Sequence, residues 1–318
     1  MPKINSLNFL YTIRIFISSL VILCAKDKLA KLSIHDSHSV VYLLTMSSLF
    51  PEDDLATNYL DQIGDWQDPH PTPLIEIHHG IHIVRDDVLE AGTKVRGADY
   101  LIGHDPRYAH IREWVYGSCP ATGYAQISLP TVCARYQKQA VLFMAQRRLD
   151  ALHPYQQRGI DAGADVRWVP SGMLSVTQAR AREYVAESPT TRMLLPMGLD
   201  HPTVSGSFIR VARNIPLAPR YVWSVGSSGT LNRALQLAWP DAEVHVVSTG
   251  HQMTEHEIGR AQFHRSPYTW KQAVPVQERP PFPSAVEYDA KAWMPMLNWY
   301  RTVRPVNSGD VLFWNVGA

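Results

Sequence analysis

From Leu74 to Trp314 short apolar, β-branched runs alternate with stretches whose apolar spacing suits helices, and this rhythm constrains the fold more than any other feature. Strands that read as continuous apolar runs are buried on both faces, the signature of a parallel sheet covered by helices on either side. The runs place strands at Leu74–Ile77, Ile81–Val84, Trp114–Tyr116, Ala140–Met144, Val166–Val169, Met193–Leu195, Tyr221–Val225, Val244–Val247 and Val311–Trp314. Helical spacing marks Thr177–Ala186 and Ala290–Tyr300. Gly117, Gly163, Pro170, Gly198 and Gly226 punctuate the junctions, and the proline-rich Pro275–Pro283 reads as a loop. The expected class is α/β with mostly parallel sheets in two lobes.

The first 45 residues read differently. Ile15–Ala25 is a largely apolar run behind Arg14 and ahead of Lys26, Lys28 and Lys31. A signal segment has that charge order. The run is short for a membrane span and no small-residue cleavage site follows it cleanly. The expectation is therefore a poorly ordered or spurious extension over residues 1–45, with Met46 opening the folded chain and no membrane as partner.

Composition bounds the rest. The 318 residues, 45% hydrophobic and 19% charged, suffice for one large core or two modest lobes. A net charge of +1 gives no long-range field to recruit nucleic acid. Cys24, Cys119 and Cys133 are too few and scattered for a disulfide framework or a C-x-x-C zinc site, so a cytoplasmic protein is expected.

Between Lys31 and Lys138 stands a single lysine, Lys94, in Ala91-Gly92-Thr93-Lys94-Val95-Arg96 at the start of a helical stretch. Burial and a neighbouring cation such as Arg96 would lower its pKa and free the amine to attack an aldehyde. A solvated lysine in a first helical turn is the plain alternative. The second feature is Ser224-Val225-Gly226-Ser227-Ser228-Gly229-Thr230, which follows an apolar strand and leads into a helix at Leu231. Small residues let backbone N–H groups approach a phosphate there, hydroxyls add donors, and the helix N-terminus favours the anion. The order lacks both the lysine of a Walker loop and the spacing of a dinucleotide site.

Taken with the residues around them, these motifs resemble the aminocyclopropane-carboxylate deaminase and D-cysteine desulfhydrase family of fold type II, tryptophan synthase β-like enzymes. Ile83-Val84-Arg85-Asp86-Asp87, then Gly92-Thr93-Lys94-Val95-Arg96 and Tyr100-Leu101, are similar to that family's segment around its cofactor lysine. In the same order, Leu195-Pro196-Met197-Gly198 resembles its P-x-G-G segment, and Val225–Thr230 its phosphate loop. Tyr288-Asp289-Ala290-Lys291-Ala292 resembles Y-T-G-K-A, and Leu312-Phe313-Trp314-Asn315-Val316-Gly317 resembles L-F-I-H-T-G-G. The resemblance spans most of Leu74–Ala318. It implies pyridoxal 5'-phosphate (PLP) as cofactor, Lys94 as the lysine carrying it as a Schiff base, and Gly226, Ser227, Ser228, Gly229 and Thr230 as the phosphate cup. It also implies one catalytic unit over residues 46–318, with two interleaved lobes, the smaller around 105–200.

The departures fall on the chemistry. Where the family has S-N-H, this chain has Ala121-Thr122-Gly123-Tyr124, so Thr122, Gly123 and Gly198 become the candidates for a substrate carboxylate. Tyr124 and Asn315 become the candidates for the ring, with Val316 where the family's threonine would meet the pyridine nitrogen. The expected activity is a PLP-dependent lyase acting at the α-carbon of a small amino-acid substrate, by deamination, desulfhydration or decarboxylation. One alternative is decarboxylation of an amino-acid-modified nucleotide in bacteriophage DNA, which alone would bring DNA as a partner. The other is a PLP-binding protein with altered chemistry. A homodimer is left open. A metal site at His78, His79, His82 and Asp86 and a hydrolase elbow at Ser227 or Ser228 with His251 are disfavoured. Adjacent strand histidines face apart, and Gly226–Gly229 misses the G-x-S-x-G spacing.

Overall fold

The computed structural model describes residues 52–318 apart from 251, 305 and 306. Residues 1–45 with Cys24, and His251, lie outside the described residues. The chain opens with α1 (Glu52–Asp61) and a hairpin of β1 (Ile75–His78) and β2 (Ile81–Arg85). His79 and Gly80 form its two-residue turn with φ of 54° and 80°. Both angles are positive, as a turn matching the twist of the strands requires. Next come α2 (Lys94–Asp99), extended by a wide helical turn at Tyr100–His104, then β3 (Glu113–Tyr116), α3 (Ala125–Arg135) and β4 (Gln139–Ala145). They are followed by α4 (Pro154–Asp161), β5 (Asp165–Val169), α5 (Leu174–Ala186), β6 (Arg192–Leu195) and α6 (Pro202–Arg213). The rest is β7 (Tyr221–Gly226), α7 (Thr230–Ala238), β8 (Glu243–Ser248), α8 (Glu255–Ile258), β9 (Gln262–Arg265), α9 (Trp293–Val303) and β10 (Val311–Asn315).

These strands make two sheets. The larger has the order β1-β2-β10-β7-β8-β9, parallel throughout except for the β1–β2 hairpin, and the smaller is all-parallel in the order β5-β4-β3-β6. Alternation along the strands divides the core. Leu312 and Trp314 on β10, Val222 on β7 and Val244 and Val246 on β8 share one cluster with Trp114, Tyr116, Leu142 and Met144 of the smaller sheet. Helices α6 and α7 fill this cluster with Phe208, Ile209, Ala234 and Leu235. The other face of the larger sheet, through Ile81, Ile83, Trp223, Val225 and Phe313, packs on Phe282, Trp293, Met296 and Leu297. The smaller sheet's outer face buries Val115, Val141 and Phe143 against Ala181 of α5. Two-sided burial explains why its central strands β3 and β4 carry unbroken apolar runs.

The differences from the sequence expectation are local. Strand β9 was not expected, because Gln262-Phe263-His264-Arg265 is an exposed, polar edge strand without an apolar run. Helix α5 begins at Leu174, three residues before the expected start, and the Ala290 helix is a 3-10 turn over Asp289–Ala292 before α9 proper.

Candidate active site

Lys94 opens α2, which is six residues long. Gly92 sits at φ 70°, where a Cβ would lie 2.6 Å from the Val316 carbonyl oxygen, and the Thr93 N–H donates to that oxygen at 3.0 Å. The start of the helix is thus fastened to the end of β10. Beneath it lies a buried ionic network. Arg96, 1% exposed, donates from Nη2 to Asp86 Oδ1 at 2.8 Å and from Nη1 to Asp68, while the Trp314 indole donates to Asp86 Oδ2 at 3.2 Å and to the Thr93 hydroxyl at 3.1 Å. This corrects the reading of Arg96 as the cation that lowers the Lys94 pKa. Its charge is committed to two carboxylates, and its role is to anchor the helix.

Burial is what holds the Lys94 amine below the usual ammonium range, and the carboxylates of Asp289 and Asp200 pull it back only in part. The side chain faces a cavity walled by Thr93, Lys94, Phe208, Tyr288, Val316 and the segment Val225–Asn232. The amine and the glycine–serine turn therefore share one cavity. Gly226–Thr230 passes from the C-terminal end of β7 into α7, the position where open α/β sheets bind ligands. Gly229 has φ 73°, and a Cβ there would lie 2.0 Å from the Glu257 carbonyl oxygen, so only glycine fits. Ser228 and Thr230 hydroxyls lie 3.1 Å apart, and Ser227 and Tyr288 share the cavity wall with them.

Gly198 does not wall the cavity but shapes its turn. At φ 75° it packs so closely that a Cβ would lie 1.8 Å from Ser228 Oγ, and its N–H donates to the Tyr116 hydroxyl at 3.2 Å. Thr122 and Gly123, half-buried before α3, lie outside the cavity walls. Tyr124 and Asn315 also lie outside them, and both are fully engaged by protein. The Tyr124 hydroxyl donates to the Ala318 carbonyl at 2.9 Å and shares a hydrogen bond with the Tyr155 hydroxyl at 3.1 Å, in which Tyr155 is left to donate. The Asn315 amide donates to Asp87 and to the Pro283 carbonyl and accepts from Ser284. Strand alternation is the reason: Asn315 falls on the Phe313 side of β10, and Val316 on the cavity side.

Sequence reasoning missed Asp289. It is fully buried, and its carboxylate, with no well-formed hydrogen bond at either oxygen, faces the Val316 and Gly317 amides. Burial pushes its carboxyl up to about 8, against the opposing pull of the Val316 and Gly317 amides and of Lys94. An acid in place of threonine within Tyr288-Asp289-Ala290-Lys291 was the available signal, but burial without a well-formed hydrogen bond is not visible in a sequence.

No family model matches the chain, and no curated protein matches it in sequence. Solved structures do match in fold. An aminocyclopropane-carboxylate (ACC) deaminase homologue aligns at TM-score 0.68 and 13% identity, over 82% of this chain and 94% of its own. Threonine deaminase isoform 2 of Solanum lycopersicum aligns at TM-score 0.61 and 14% identity, over 83% and 85%. Diaminopropionate ammonia lyase of Escherichia coli aligns at 0.57 and 10%, over 84% and 87%. The chain has the tryptophan synthase β-like α/β architecture of fold type II PLP enzymes.

Proposed function

We propose that this protein is a PLP-dependent enzyme acting at the α-carbon of an amino-acid substrate, with Lys94 as the residue that carries the cofactor. The observation behind this reading is the cavity that Lys94 shares with the Gly226–Thr230 turn. The donor set fits the group at two points. A desolvated primary amine suits an aldehyde, and a glycine–serine turn at a helix N-terminus suits a phosphate. When bound, the cofactor supplies an electron sink for negative charge developing at the substrate α-carbon.

The protein's own residues do the rest. Lys94, whose pKa burial lowers, would hold the aldehyde, and its amine would be the group to take or return a proton at the α-carbon. Asp289 lies off the cavity walls, and its charge bears on the Lys94 amine through the protein. The Gly226–Thr230 turn holds the phosphate end, so that the reacting bond is presented in a fixed orientation. Phe208, Val225, Leu231 and Val316 supply apolar walls that limit water.

The test is direct. The purified protein, mixed with PLP, should gain a visible absorbance band and, after borohydride reduction, a pyridoxyl group on Lys94 by peptide mass. Lys94→Ala should show neither. A wild-type protein that takes up no PLP overturns the proposal. Release of ammonia, sulfide or carbon dioxide from a panel of D- and L-amino acids and amino-acid-modified thymidines then assigns the reaction and separates a free from a nucleotide-borne substrate.

A further inference from the structure

Arg233 stands one helical turn into α7, directly behind the anion-binding turn, and it does not wall the cavity. Its Nη1 donates to the Ser228 carbonyl oxygen at 3.1 Å, and its Nη2 to Asp200 Oδ1 at 2.7 Å. The guanidinium is mostly buried, with 19% of the side chain exposed. A Cβ on Gly229 would lie 2.8 Å from Nη1, so the cation is pressed against the Ser228–Gly229 peptide. That peptide is planar and trans, and its C=O and N–H point in opposite directions. A carbonyl held toward Arg233, on the side away from the cavity, therefore turns the Gly229 N–H toward the cavity.

We infer that Arg233 is a positioning residue that sets the donor direction of the phosphate turn by clamping the Ser228 carbonyl from behind. The inference rests on the reading of Gly226–Thr230 as the cofactor's phosphate holder. Charge is not the means, because Asp200 pairs with the guanidinium and Arg233 does not wall the cavity. The fork is the means: one nitrogen holds the turn while the other is fixed to Asp200, two residues beyond Gly198, which itself packs on Ser228. A lysine offers a point charge without that fork and cannot span both acceptors. Without the clamp the Ser228–Gly229 peptide is free to rotate, and a carbonyl oxygen facing an anion repels it.

Comparing PLP with pyridoxal, which has the same aldehyde and ring but no phosphate, isolates this effect. Dissociation constants for both, read by visible absorbance on wild type, Arg233→Met and Arg233→Lys, are the measurement. The expected result is a loss of about ten-fold in PLP affinity for both variants, with pyridoxal affinity within about two-fold of wild type. Inorganic phosphate should likewise compete less well against PLP in the variants. Equal losses for PLP and pyridoxal, no loss in either, or a lysine variant matching wild type would each overturn the inference. If Arg233→Met fails to fold, Arg233→Lys alone decides between these outcomes. A wild-type protein that takes up neither compound overturns the reading of the site itself, whereas one that takes up both while its variants bind PLP normally overturns only the role of Arg233.

Discussion

Lys94 and Asp289 are both ionisable groups buried with too little compensation, and each leans on the other. A carboxyl held at about 8 in the folded chain, against 3.8 ordinarily, binds its proton more tightly folded than unfolded. Its contribution to stability is therefore complete below pH 3.8 and drains away as pH rises through about 8. Asp289→Asn keeps the shape and removes the proton. Denaturation of the cofactor-free protein at a series of pH values should show wild-type stability falling across that window relative to the asparagine variant, and parallel curves would show that Asp289 is not the group responsible. Lys94→Ala, by contrast, should cost about 10²–10⁴-fold in turnover of whichever substrate is found, as loss of a proton-transferring group does. Lys94 was singled out because its segment resembles a cofactor-lysine motif, its isolation between Lys31 and Lys138 being a weak signal by itself, and it stands on the cavity wall. Asp289 and Arg233 were not, since what marks them is an unmade hydrogen bond in one case and a clamp on a carbonyl in the other.

At the scale of elements, the loops at strand ends carry the site, and the strands were the easiest part to read. Nine of the ten strands among the described residues lie within two residues of the apolar runs that announced them, the central strands because burial on both faces keeps the run apolar, as in Ala140–Met144. The edge strand β9, exposed and polar, gave no such signal. The loop before α6 shows how the elements are locked together. Gly198 at φ 75° can carry no side chain without displacing Ser228, so Gly198→Ala should weaken PLP binding, seen as a higher concentration for half-maximal absorbance. Full retention of affinity would show that the turn can yield. The network under α2 is a second lock. Removing one partner of a buried ion pair leaves its charge uncompensated, so Arg96→Met, which strands Asp86 and Asp68, should cost about 3–5 kcal/mol in urea denaturation. A loss below about 1 kcal/mol would mean that water replaces the guanidinium.

For the molecule as a whole, the decisive fact is that one hydrophobic cluster runs through both sheets. Trp114 and Leu142 of the smaller sheet and Leu312 and Trp314 of the larger belong to it, with Phe208 of α6 and Leu235 of α7 between them. Neither sheet can expose its inner face without exposing the other's, so the two should unfold in one transition. The cavity draws its walls from α2, α6, β7 and α7, all of which contribute to this cluster or flank it. A ligand that binds only the folded form must then stabilise both sheets together. At a PLP concentration of about 100 times the dissociation constant the gain is about 2.7 kcal/mol, which for a chain of this size raises the melting temperature by roughly 4–5 °C. The shift should be the same whether melting is followed by far-ultraviolet dichroism or by tryptophan fluorescence, and it should shrink in Lys94→Ala, which keeps the phosphate turn but loses the covalent hold. Two separate transitions, only one of them moved by PLP, would show that the shared cluster does not couple the sheets and that the site belongs to one of them alone.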